Sequence, residues 1–109
     1  MKLSHSRAAL VVVALVALGL NTGCISRIRA KNQLNEGARA YKAGHFQEAE
    51  QYFRRAKELD PEQKNTDFFI ARAIQSQYKP GVDTPQNKQY AQAAIDQYKV
   101  VLDKDPNNE

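Results

Sequence analysis

The residues able to do covalent or acid–base chemistry are few in this chain, and their spacing limits what they can do together. Among its 109 residues there is one cysteine, Cys24, and there are two histidines, His5 and His45. A nucleophile needs a base within hydrogen-bond reach, and a zinc site needs three or four ligands. Beyond Cys24 only His45 remains, at a predicted turn, so neither arrangement can be completed there. Glu48 and Glu50 stand two apart and diverge on a helix, where side chains three or four apart are neighbours. Glu58, Asp60 and Glu62 gather at a predicted helix end, a place where acids are ordinarily solvated. No glycine-rich phosphate loop is present. The expectation is a chain with no catalytic residue, no cofactor and no metal, and so not an enzyme.

What remains is the Cys24 thiol and the segment before it. Lys2, His5 and Arg7 make a positive head, Ala8 to Leu20 form an apolar run of 13 residues, and Asn21-Thr22-Gly23-Cys24 follows. This is the pattern of an export signal. As a helix the run would cover only about 20 Å of a hydrocarbon core roughly 30 Å thick, short for a membrane span. Export leads to an oxidising compartment, where a lone thiol is open to oxidation and cannot form an intramolecular disulfide.

Leu20-Asn21-Thr22-Gly23-Cys24 resembles the lipobox of bacterial lipoproteins, with Asn21 where that pattern prefers an apolar residue and Leu20 one step before it. The resemblance implies cleavage before Cys24 and a thioether-linked diacylglycerol, with fatty acyl chains such as palmitate, on that residue. Several acyl chains make a durable anchor where one is marginal. The next residue is Ile25 rather than the aspartate that marks inner-membrane retention in enterobacterial lipoproteins, which implies delivery to the outer membrane, facing the periplasm. The other reading is an ordinary secretory cut with Cys24 as a small apolar filler. Arg27, Arg29 and Lys31 follow closely, either resting on anionic head groups or forming a solvated first helical turn.

The basic balance points to no nucleic acid. Sixteen basic residues face 12 acidic ones in the whole chain, and Lys2 and Arg7 leave with the signal, so a net of +2 remains. Positive and negative residues alternate rather than forming a stripe.

From residue 30 the spacing predicts helix throughout. Ala30, Leu34, Ala38 and Tyr41 recur at helical intervals, and Gly44 ends that helix. Phe46, Ala49, Phe53 and Ala56 mark a second face, widened by Tyr52 and Leu59, that stops before Pro61. The pattern then repeats. Ala49, Phe53, Ala56 and Asp60-Pro61 return 45 residues later as Ala94, Tyr98, Val101 and Asp105-Pro106. Leu34, Gly37 and Ala40 return 34 residues later as Phe68, Ala71 and Ile74. The difference of 11 residues must lie between the helices of the second pair, near residues 79–88, where Pro80-Gly81 reads as a turn. Thr84-Pro85 reads as a helix start, and the last helix is expected from about Pro85 to Asp103.

The segment LNEGARAYKAGHFQEAEQYFRRAKELDP resembles the tetratricopeptide repeat, with Gly37, Gly44, Phe46, Ala49, Phe53, Ala56 and Pro61 on its positions. The second copy keeps Ala71, Ala94, Tyr98 and Pro106, but has Gln89 for glycine and Val101 for alanine. Gly37 and Ala49 are small so that paired helices can cross closely, and Pro61 ends its repeat because it cannot continue a helix. The resemblance implies an all-α fold, an α-solenoid of two helix-turn-helix repeats and four helices. The expected organisation is a signal peptide with lipobox over 1–23, the lipidated cysteine and a short tether over 24–29, repeat one over 30–63, and repeat two over 64–109.

Tetratricopeptide modules bind peptides or folded partners in a groove lined by the first helix of each pair. Carried onto this chain, the resemblance implies a groove formed by Leu34, Asn35, Ala38, Tyr41, Lys42, Phe68, Arg72 and Gln75. Leu34 and Ala38 stand at two positions where a known groove type has lysine or asparagine to grip a C-terminal carboxylate, so that grip is missing. Aromatic and arginine side chains suit an apolar or aromatic segment instead. Leu34, Tyr41 and Phe68 are equally readable as core, and Lys42, Arg72 and Gln75 as solvated surface. The last helix carries Ala91, Ala94, Ile95, Tyr98, Val101 and Leu102, a stripe wide enough for neighbours on two sides, which a self-copy or a partner would cover. Three functions fit: an envelope adaptor, an assembly factor for outer-membrane proteins or secretins, and a self-associating structural lipoprotein.

Overall fold

The computed structural model describes residues 23–107, so the expected signal segment up to residue 22 lies outside the described residues. Four helices make up this part: α1 over 23–42, α2 (Phe46–Leu59), α3 (Thr66–Gln77) and α4 (Pro85–Lys104). There is no strand among the described residues. The fold is all-α and tetratricopeptide-like, as expected. Residues 24–29, expected as a tether, are helical and run without a break into α1.

The turns form where the sequence supplies the backbone chemistry. Gly44 takes a φ of +82°, its N–H donates to the Tyr41 carbonyl, and the His45 N–H donates to the Ala40 carbonyl. That pair of bonds closes the end of α1 by main-chain groups alone. Asn65, one of the few residue types that tolerate the left-handed region, turns the chain into α3 at a φ of +71°. At α4 the Thr84 hydroxyl accepts the Asn87 backbone N–H and Pro85 occupies the first helical position, as the sequence predicts. The 11 extra residues are divided between the loop before Thr84 and a final helix of 20 residues, which ends at Lys104 rather than Asp103.

Small residues set the helix spacing. Ala49, Phe53 and Ala56 on α2 are buried, as are Ile70, Ala71, Ala73 and Ile74 on α3, and Ala94 and Val101 on α4. Ala40, Ala49, Phe53, Ile70, Ala73, Ile74 and Ala94 form one core cluster, with Leu34, Tyr41 and Tyr52 half-buried against it. Pro61 and Pro106 are exposed just beyond the ends of α2 and α4, and add nothing to the core. The expected broad stripe on α4 divides. Ala94 and Val101 face inward, whereas Ile95 and Leu102 are 50% and 47% exposed.

Two polar side chains hold the second pair in place. Asp67 on α3 is ion-paired with Lys57 of α2 at 2.7 Å and with Lys104 of α4 at 2.6 Å. Gln97 of α4 also donates to the Asp67 backbone carbonyl at 3.2 Å. Asn87 is buried and organises the loop in front of α4. Its Nδ2 donates to the Lys79 and Val82 carbonyls at 2.8 and 2.7 Å, and its Oδ1 accepts the Lys79 N–H at 2.8 Å.

Candidate functional site

A groove runs between α1 and α3, with α2 beneath it. Leu34, Ala38, Tyr41 and Lys42 come from α1, Phe68, Phe69 and Arg72 from α3, and Phe53 of α2 is its floor. Together they enclose a cavity of about 280 Å³. Its position follows from the close approach of α1 and α2. Gly37 has no side chain to hold the Phe53 ring away, so that ring slides under α1 and shows its edge to the groove.

Six of the eight residues expected from the sequence lie along this cavity: Leu34, Ala38, Tyr41, Lys42, Phe68 and Arg72. Two do not. Asn35 is exposed on α1 and outside the lining, because it sits one residue round the helix from Leu34. Gln75 stands off the cavity, where its Oε1 accepts the Tyr98 hydroxyl at 2.6 Å and an Arg72 N–H at 3.4 Å. Two others are gained. Phe53 was expected only as a packing residue, and Phe69 was not expected at all. The 34-residue offset that selects Phe68 from Leu34 pairs Phe69 with the polar Asn35, so the repeat pattern gave no signal for it.

The aromatic rings are coupled. Phe53 and Phe69 have centroids 5.6 Å apart, Phe68 and Phe69 6.3 Å, and Phe68 meets Tyr98 of α4 edge-on at 6.2 Å. Tyr41 meets Phe46 edge-on at 5.1 Å. Its hydroxyl lies 2.9 Å from Ser76 Oγ. The single Ser76 proton goes to the Arg72 carbonyl at 2.8 Å, so Tyr41 is the donor in this pair. These bonds leave the ring faces of Phe68 and Phe69 as the adhesive part of the groove.

The rim of the groove is cationic. The Arg72 guanidinium is held still more firmly protonated than an arginine ordinarily is, by the neighbouring Tyr41 and Tyr98 oxygens. Among the described residues no carboxylate is ion-paired with Arg72 or Lys42, although most acids on the helices have a basic partner. A larger cavity of about 520 Å³ opens at the turn before α3, lined by Lys64, Asn65, Asp67, Val101 and Lys104 among others. It is half polar, and its central carboxylate is already satisfied by two lysines. Among the described residues there is no group of three or more side chains that could hold a metal ion, and no helix long and apolar enough to cross a membrane.

Residues 30–63 match the family model of the tetratricopeptide repeat, the same bounds that the sequence predicts for repeat one. Comparison with curated proteins and with solved structures gives no match.

Proposed function

We propose, for a chain whose residues 30–63 are a tetratricopeptide repeat, that it is a membrane-anchored adaptor of the bacterial cell envelope that holds partner proteins in the α1–α3 groove. The observation that carries this reading is the cavity of about 280 Å³ lined by Phe53, Phe68, Phe69 and Tyr41 beside two unpaired cations. Half-exposed aromatic rings are unfavourable in water, and a large apolar side chain of a partner would cover them. Arg72 and Lys42 favour an acidic residue next to that side chain, and arginine and aromatic residues are the types that dominate binding energy at interfaces. The anchor is supported by the lipobox-like segment ending at Cys24, whose thiol is exposed at the start of α1.

Affinity capture from detergent extracts of the envelope tests the reading. Proteins retained by the natural chain and lost with a Phe68→Ala/Arg72→Ala double variant support groove binding. An unchanged set of captured proteins refutes it. Barrel or secretin subunits among those lost would narrow the adaptor to an assembly factor. Mass spectrometry of the mature N-terminus, with Cys24→Ser as control, tests the anchor separately.

A second reading is favoured by the exposed Ile95 and Leu102 on α4: a structural lipoprotein that associates with itself through that helix. Sedimentation decides it, since a monomer at micromolar concentration removes this reading and leaves the groove untouched.

A further inference from the structure

Helix α1 is already formed at residue 23, whereas the matched repeat starts at residue 30. Burial assigns faces to the turns in between. Ser26 and Gln33 are half-buried and Ala30 is fully buried, at spacings of four and three, so this side meets the rest of the fold. Cys24, Ile25 and Ile28 take the other side, Ile28 being four residues from Cys24 and three from Ile25. Ile25 is 48% exposed and Ile28 is 61% exposed. Arg27 and Lys31 flank the isoleucines on one side and Arg29 on the other, all exposed. The first acidic residue along α1 is Glu36.

Two aliphatic side chains between rows of cations form the pattern of a helix that lies in a membrane interface. The charge also selects the occupant. A second copy would bring three more cations against these three, and like charges at close range repel. We infer that the first two turns of α1 dock on an anionic lipid surface, with Ile25 and Ile28 directed toward the acyl chains and Arg27, Arg29 and Lys31 on the phosphates. This rests on the envelope-membrane reading of the preceding subsection and goes beyond it. Because the helix is unbroken from residue 23 to residue 42, the bilayer would fix the orientation of the whole module instead of holding it on a slack leash.

The chain contains no tryptophan, so one introduced indole reports on one place. Ile28→Trp and, as a control at the far end of α1, Ala43→Trp are made in the full chain. The products are processed in a bacterial host and reconstituted in vesicles of phosphatidylethanolamine and phosphatidylglycerol. Brominated phosphatidylglycerol is expected to quench Ile28→Trp about twofold or more and to leave Ala43→Trp unaffected. Adding Arg27→Gln, Arg29→Gln and Lys31→Gln, or using phosphatidylcholine alone, should abolish the quenching. Equal emission and quenching for the two reporters overturns the inference, and so does quenching that ignores the three charges. Mass spectrometry of the same samples reports whether Cys24 carries lipid. Charge-dependent quenching without lipid on Cys24 would keep the docked helix and remove the acyl anchor. An acylated protein with an unquenched Ile28→Trp would do the reverse.

Discussion

Gly37 and Phe53 are in contact so close that a Cβ placed on Gly37 would lie 2.5 and 2.6 Å from two carbons of the Phe53 ring. Real side chains do not approach that closely, and the ring is itself buried among α1, α2 and α3. Gly37→Ala therefore has two opposed effects. It gains about 1 kcal/mol of helix propensity, and overpacking costs about 1–3 kcal/mol. Net destabilisation is expected, visible as a lower midpoint in urea, with the groove distorted because its floor moves. In a Phe53→Leu background the same substitution should cost measurably less, the two changes being non-additive. Additive effects would show that the contact does not limit the packing.

The Asp67 carboxylate opposes its own burial. Desolvation acts to raise its pKa, but the hydrogen bonds and charges of Lys104 and Lys57 outweigh that and hold it below the ordinary aspartate value. A depressed folded-state pKa means that the contribution to stability is present above the unfolded pKa of about 3.9 and is lost as pH falls through the folded value. Asp67→Asn should cost about 1–2 kcal/mol at pH 7, the half-exposed lysines reducing the effect. Urea titrations at pH 7 and pH 3 should show the natural chain and the variant converging at the lower pH. A constant gap between them would remove the ion pairs as its cause.

Asn87 makes three side-chain hydrogen bonds to the backbone of the preceding loop. Asn87→Ala should cost about 2–3 kcal/mol and leave the Lys79 N–H without its acceptor. Asn87→Asp keeps an acceptor but cannot donate to the Lys79 and Val82 carbonyls, so it should be no better. Amide hydrogen exchange at Lys79 is the sharper readout. Protection there that survives Asn87→Ala would show that the loop is held by other groups.

In the groove, Phe68→Ala and Arg72→Ala should each weaken binding of a captured partner about tenfold or more, the range of interface residues that dominate affinity. Neither should change the circular dichroism, since Phe68 is half-buried and Arg72 exposed. Leu102→Ser, on α4, serves as the surface control. Loss of partner binding with Leu102→Ser alone would move the site to α4.

What the sequence displays here is what the backbone demands locally. Gly44 and the Thr84-Pro85 pair have short-range reasons to be where they are, and the turn and helix start fall at those residues. The offsets of 34 and 45 residues likewise translate into helix pairs, because a repeated packing surface needs repeated residue sizes. Asp67, Asn87 and Phe69 carry no such mark. Asp67 matters only because the register of three helices brings Lys57 and Lys104 together, a fact that no single segment contains. Asn87 looks like any polar residue of a first helical turn until the loop folds back over it. Asn35 and Phe69 show the limit of mapping a groove through the repeat: one residue of rotation moves a side chain by about 100° around the helix, in or out of the cavity.

The bend after α1 is closed by the Gly44 and His45 amides, with no side chain taking part. Ala43 and His45 are both exposed, and the cavity residues nearest in sequence, Tyr41 and Lys42, are on the helix before them. Their identities are thus spare. An epitope, a dye or a crosslinker attached to this corner would leave both the core and the cavity intact, which makes it a handle for recovering the protein with its cargo still seated.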